Sequence, residues 1–143
     1  MPNQTPARLE EIIQDFQYCE GREKLELLIQ YSESLPDLPA RFAEQRAGMS
    51  PVPECMTPVY MFVEIEADRL HFHFDVPAES PTVRGFAAIM KQGLDGITPE
   101  EVLQVPADFY QQMGLHEVLS NQRLNGISAI LAHMKQLAVS EME

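Results

Sequence analysis

The stretch from Val59 to Phe74 constrains this chain more than any other. Val59-Tyr60-Met61-Phe62-Val63-Glu64-Ile65 is rich in β-branched and aromatic residues, which predicts a strand. Ala67-Asp68 reads as a turn. Leu70-His71-Phe72-His73-Phe74 then alternates strictly, so Leu70, Phe72 and Phe74 share one face and His71 and His73 the other. A lone hairpin is marginal in water and needs something to cover its apolar face. Helical signals stand on both sides of it. Thr5-Pro6 reads as a cap with proline at the first helical position, and Leu9, Ile12, Ile13 and Phe16 recur at helical spacing until Gly21. A second helix is predicted from about Arg22 to Ser34, with Leu25, Leu28 and Ile29 on one face. Ser80-Pro81 opens another through Phe86, Ile89, Met90 and Leu94, with Gly93 and Gly96 bracketing its end. Thr98-Pro99-Glu100-Glu101 is a capping box, Pro106 starts a short piece, and Ser120 caps a last helix striped by Leu124, Ile127, Ile130, Leu131, Met134 and Leu137. The predicted class is α+β: a small antiparallel sheet covered by helices from both ends of the chain.

At 143 residues and 45% hydrophobic, the chain is long enough to bury a core and fits one domain spanning 1–143. Disulfide scaffolding is not required, and Cys19 and Cys55 are its two cysteines. Apolar runs fall short of the roughly 20 residues a membrane span needs, and Met1 to Gln14 has no secretory pattern, so a cytoplasmic protein is expected. Ten Lys and Arg stand against 22 Asp and Glu, a formal net charge of −12. Such a chain repels phosphate, which argues against nucleic acid and against anionic membrane surfaces as partners. An acidic surface is ordinarily a matter of solubility; the sharper reading is a partner with a basic docking face.

Several chemistries have no motif here: no glycine-rich phosphate loop, no G-x-S-x-G, no H-E-x-x-H and no C-x-x-C. His71 and His73 would sit on one side of a strand, a pairing that suits a metal, but no third ligand is near in sequence. Solvent-facing histidines are the simpler reading, and no metal or cofactor site is expected. Cys19, at the end of an apolar helical stripe, reads as a small hydrophobe. Cys55 differs. Leu35 to Pro53 holds Pro36, Pro39, Gly48, Pro51 and Pro53, has no clear period and reads as a long loop. Cys55 lies where that loop hands over to the first strand, flanked by Pro53 and Pro58. The backbone there is stiff and non-helical, which either presents the thiol or simply buries an inert one.

Here the sequence resembles the SufE-like family, sulfur-acceptor proteins that partner cysteine desulfurases in iron–sulfur cluster assembly. Members carry a loop cysteine in a pattern near V-x-G-C-x-S-x-V-W, matched by Val52, Cys55, Thr57, Val59 and Tyr60. Leu27-Leu28-Ile29-Gln30-Tyr31 and Leu35-Pro36 resemble the family's second helix and its exit. Pro81-Thr82-Val83-Arg84-Gly85 resembles its V-R-G helix opening, and Thr98-Pro99-Glu100-Glu101-Val102 its T-P-E-E-I stretch. Leu119-Ser120-Asn121-Gln122-Arg123-Leu124-Asn125-Gly126 resembles L-S-P-S-R-x-N-G. The motifs run in order over nearly the whole chain. Two positions depart: Glu54 stands where the family usually has glycine, and Pro77 where aspartate is common.

The resemblance implies a SufE-like domain with a small curved sheet, and a function: Cys55 takes persulfide sulfur from a pyridoxal-phosphate cysteine desulfurase and delivers it to an iron–sulfur scaffold complex. The protein would then be an accessory activator rather than a stand-alone enzyme. It also implies a loop that tucks its cysteine into an apolar cavity, which Met56, Tyr60 and Phe86 could line, although they could equally be ordinary core, with hinges at Gly48 and near Ser50. Sulfur exchange needs a thiolate, and Glu54 beside Cys55 raises a thiol pKa above its ordinary value of roughly 8.5. A cation from outside the loop would offset this. Arg84 and Arg123 are the candidates, although each could equally bind loop carbonyls or a carboxylate such as Asp75 or Glu79. Lys24, Lys91 and Lys135 lie in helical stretches with no phosphate loop beside them. The alternative function is an acidic protein-binding module that regulates a partner without covalent sulfur chemistry.

Overall fold

The first helix, α1 (Ala7–Gln17), buries Leu9, Ile12, Ile13 and Phe16, the stripe its spacing predicts. In this computed structural model, which describes residues 5–47 and 58–142, Pro6 itself occupies the N-cap position of α1, in place of Thr5. Its missing N–H costs nothing there, and its carbonyl accepts the first helical bond, from the Glu10 amide, at 2.9 Å. Gly21, at φ +52°, turns the chain into α2 (Arg22–Glu33). The buried line of α2 is Lys24, Leu28 and Ser32 rather than Leu25, Leu28 and Ile29; Ile29 is exposed. Lys24 is drawn inward because its ammonium donates to the Phe16 carbonyl at 2.8 Å and satisfies the end of α1.

The predicted long loop contains structure of its own. A short 3-10 turn, Ala40–Phe42, runs into α3 (Ala43–Ala47). The hairpin follows as β1 (Tyr60–Glu66) and β2 (Arg69–Asp75), antiparallel, with Tyr60 opposite Asp75, Phe62 opposite His73 and Glu64 opposite His71. Its turn is Ala67-Asp68, both at positive φ (52° and 65°), the pattern of the two-residue type I′ turn that matches strand twist. Leu70, Phe72 and Phe74 face the core. The outer edge of β2 is partly covered: the Leu70 amide donates to the Ile97 carbonyl at 2.8 Å, and the Gly96 amide to the Leu70 carbonyl at 2.7 Å.

The hub of the fold is α4 (Pro81–Leu94), which packs against α1, α2, β2 and the last helix, and is buried on most of its circumference. Two glycines allow this. A Cβ on Gly85 would stand 2.1 Å from the Leu28 carbonyl oxygen of α2, and one on Gly93 would meet Leu9 of α1 at 2.9 Å. Gly93 is therefore a close-approach site within the helix and not its terminator; Gly96, at φ +79°, turns the chain after it. Next comes α5 (Pro99–Gln104) with the predicted capping box: the Glu101 amide donates to Thr98 Oγ1 at 3.3 Å, and the Thr98 amide to the Glu101 carboxylate at 3.0 Å. Two 3-10 turns, Phe109–Gln111 and Leu115–Glu117, lead to α6 (Asn121–Met142), whose apolar stripe closes the core. The architecture is α+β, a two-stranded sheet packed between N-terminal and C-terminal helices. Among the described residues no helix is long and apolar enough to cross a membrane.

Candidate functional site

Cys55, its neighbours Glu54 and Met56, and the expected hinges at Gly48 and Ser50 lie outside the described residues. What the structure describes is the frame from which that segment is strung. The chain leaves from the end of α3 at Ala47 and returns at Pro58, then Val59, which is fully buried, then Tyr60. Residues 40–47 form a strap that the side chains of Arg41, Phe42 and Arg46 hold to the outer face of the hairpin.

Phe42 is the anchor of this strap. It stacks on Phe62 with ring centroids 4.8 Å apart and meets the His73 ring at 5.1 Å. Phe62 points away from the main core, and Phe42 is what keeps it only 4% exposed. His73 is thereby half-buried rather than solvent-facing. Its Nε2 lies 2.9 Å from a Glu64 carboxylate oxygen, and Arg41 forks onto the same carboxylate at 2.6 and 3.2 Å. Burial holds the His73 pKa below the ordinary imidazole value, against the pull of Glu64. The Arg41 hydrogen bonds hold Glu64 below the usual carboxylate range. His71 instead pairs with Asp95, 3.2 Å away. Among the described residues no three metal-ligating side chains are grouped to hold an ion. An open polar groove of about 400 Å³ runs along this face between Arg41, Glu64, His71, His73, Lys91 and Asp95. A smaller, more apolar cavity of about 170 Å³ lies between Pro36–Pro39 and His73, Phe74 and Lys91.

Arg46 is the second attachment. Its guanidinium pairs with Asp75 and lies over the Tyr60 ring, 4.5 Å from the centroid. It stands one residue before the end of α3, and Tyr60 is the first residue of β1. One side chain thus ties the two stems of the Cys55 segment together.

Of the residues singled out in the sequence, Arg84 donates to three carbonyls: Ser32 at 3.1 Å, Leu35 at 3.2 Å and Val76 at 2.6 Å. These lie at the exits of α2 and β2, so Arg84 fastens two chain departures to the start of α4. Arg123 is exposed and donates to Thr82 Oγ1 at 2.5 Å. Phe86 is core, stacked on Phe109 at 5.7 Å, while Tyr60 is half-buried beneath Arg46. The Cys19 thiol is half-exposed and points at the Asp15 carbonyl, 3.6 Å away. The lysines are occupied. Lys24 donates to the Phe16 carbonyl, Lys91 to that of Phe72 and Lys135 to that of Val105, at 2.8, 2.7 and 2.6 Å.

Arg41, Phe42 and Arg46 were not singled out in the sequence. A signal for them exists: Ala40 to Ala47 is eight residues without Pro or Gly and rich in good helix formers, inside a stretch otherwise punctuated by both.

Comparison with known proteins places this frame. The SufE family model, described as an Fe-S metabolism associated domain, matches residues 10–138, which include the Cys55 segment. A SufE-like protein of Mycobacterium tuberculosis is 43% identical over 136 residues, covering 94% of each chain. The protein named cysteine desulfuration protein SufE in Plasmodium vivax is 27% identical, over 84% of this chain and 54% of that one. The solution structure of a hypothetical protein from Thermus thermophilus superposes with a TM-score of 0.83 at 30% identity, covering 96% of this chain and 98% of the other. With a family match over most of its length and the same fold in a related structure, the chain belongs to the SufE family of iron–sulfur metabolism proteins.

Proposed function

We propose that this protein, acting as one domain over residues 1–143, accepts sulfane sulfur on Cys55 from a cysteine desulfurase and passes it on for iron–sulfur cluster assembly. The observation that carries the reading is the family match spanning the Cys55 segment, in a chain whose only other cysteine stands at the end of α1.

In the transfer, the Cys55 thiolate attacks the outer sulfur of the persulfide on the desulfurase. A new S–S bond forms at Cys55 as the old one breaks, and the desulfurase cysteine leaves as a thiolate. Electrons balance without an external oxidant. The thiolate is disfavoured by the neighbouring Glu54 and favoured by any cation brought to the loop. Arg84 and Arg123 are proposed as supporting cations acting at longer range, since their nearest bonds go to carbonyls and to Thr82. The carbon–sulfur cleavage belongs to the pyridoxal-phosphate partner, whose chemistry needs a free lysine. In support, all three lysines of this chain are engaged by backbone carbonyls. The protein is thus an activator in sulfur transfer, working in the cytoplasm with a desulfurase and an iron–sulfur scaffold complex.

The test is intact-mass analysis after incubation with a desulfurase, cysteine and pyridoxal phosphate. A gain of one sulfur atom is expected in the wild type and absent in Cys55→Ser, which also fails to stimulate the desulfurase. If Cys55→Ser stimulates as well as the wild type, the protein is instead an acidic module that regulates its partner without carrying sulfur.

A further inference from the structure

We infer that the edge of β1 at Val63 and Ile65 is a docking site for an extended basic segment of a partner protein, which adds to the hairpin as a further antiparallel strand.

The direction of the backbone groups comes first. In an antiparallel pair, opposed residues alternate between those that bond each other and those whose N–H and C=O face away. Leu70 is of the second kind: its amide and its carbonyl both bond outward, to Ile97 and Gly96. The Phe72 carbonyl also points out, where Lys91 donates to it. Ile65 lies opposite Leu70, and Val63 opposite Phe72. The amides and carbonyls of Ile65 and Val63 therefore face away from β2 as well. Among the described residues β2 is the only strand that pairs with β1, and these outward groups have no backbone partner there.

The two edges of the hairpin are thus unlike. That of β2 is covered at Leu70 and Phe72. The 7 residues of β1 pair in register without a bulge and include no Pro, Gly or Lys, the devices that blunt a strand edge. Its only charges, Glu64 and Glu66, stand on the outer face. On the inner face Val63 is half-buried and Ile65 is 42% exposed, so apolar surface continues to the edge.

This pattern selects the occupant. A strand laid beside β1 needs apolar side chains next to Val63 and Ile65, with its alternate side chains next to Glu64 and Glu66. A second copy of this chain fails on the second count. Pairing over 63–66 sets Glu64 against Glu64 or Glu66 of the other copy, and like charges directly opposed are destabilising. At a net charge of −12, two copies also repel as whole molecules. Lys or Arg in those positions is attracted instead. Arg41 already forks onto Glu64. Arg69 lies opposite Glu66 but donates to the Gly96 carbonyl, which leaves Glu66 as the carboxylate for an incoming cation.

The probe is a capped seven-residue peptide of alternating lysine and valine, added to the full chain, with amide hydrogen exchange followed by NMR. In the free protein the Val63 and Ile65 amides should exchange fast, while that of Glu64, which faces β2, is protected. Saturating peptide should slow Val63 and Ile65 by about tenfold or more. The same peptide N-methylated at its valines keeps its charge but cannot donate to β1, and should bind at least about tenfold more weakly. N-methylation at the lysines, whose N–H groups point away from β1, should leave binding unchanged. On the protein, Ile65→Pro removes an outward donor at a position where an edge strand accepts proline, and should weaken binding about tenfold. Glu66→Lys reverses an exposed charge and should weaken it about threefold, with thermal unfolding confirming that the fold is kept. Val63 and Ile65 amides already protected in the free protein would overturn the inference, because the chain itself would then cover the edge. So would a peptide that fails to bind, or equal binding by the two N-methylated peptides, which would reduce the attraction to charge alone.

Discussion

A single arginine, Arg84, fastens the exits of α2 and β2, which the sequence keeps far apart, to the start of α4. Its guanidinium gathers the carbonyls of Ser32, Leu35 and Val76, each of them at the end of an element and lacking a helical or ladder partner. Removing the donor leaves those acceptors underbonded in a half-buried site. Arg84→Met, which keeps the aliphatic stem, should lower stability by about 2–4 kcal/mol. Arg84→Lys should recover only part of that, because an ammonium lacks the planar fork that reaches three oxygens at once. Urea unfolding checks this through a lower midpoint at unchanged slope. The V-R-G motif marked Arg84 in the sequence, but its partners are 52, 49 and 8 residues away, and no periodicity reports which carbonyls a fold leaves bare. The motif alone therefore leaves open whether Arg84 meets carbonyls, a carboxylate or the thiol. Arg46 was invisible for a related reason: its receptor exists only once Tyr60 and Asp75 are paired across the hairpin.

Elements whose signals are local were readable almost to the residue. The capping box of α5, the stripe of α6 and the alternation of β2 depend only on neighbours in sequence. What failed were features set by packing. Ile29 lies outside because α2 turns Lys24 and Leu28 toward the core, and α3 carries no sequence period because five residues are too few to show one. The hairpin turn is legible yet imperfectly written. Ala67 sits at φ +52° with an ordinary side chain, in the left-handed region that costs an L-residue roughly 1–2 kcal/mol. Glycine escapes that cost but brings a more flexible unfolded chain, worth about 0.5–1 kcal/mol the other way. The balance favours substitution. Ala67→Gly should raise stability by about 0.5 kcal/mol, and Ala67→Asn, which tolerates this conformation and gives up less entropy, by a similar amount. Thermal unfolding of the two variants against the wild type measures it, and an unchanged or lower Tm would mean that Ala67 is not strained.

Across the whole molecule the charges are divided unequally between inside and outside work. All ten Lys and Arg residues have an intramolecular partner. Lys24, Arg69, Arg84, Lys91 and Lys135 spend their charge on backbone carbonyls rather than primarily on carboxylates. The cations therefore act as fasteners of the fold, while the carboxylates outnumber them at the surface and the net charge stands at −12. Two effects of salt then oppose each other. Screening relieves the repulsion among carboxylates and favours the compact state; it also weakens exposed pairs such as Arg41–Glu64 and Arg46–Asp75. An exposed pair contributes at most about 1 kcal/mol, whereas repulsion sums over every uncompensated carboxylate, so repulsion should dominate. Raising sodium chloride from about 0.05 M to about 0.5 M should increase Tm by a few degrees. Calorimetry at both concentrations tests this. A Tm that falls instead would show that the surface ion pairs outweigh the self-repulsion of the whole surface.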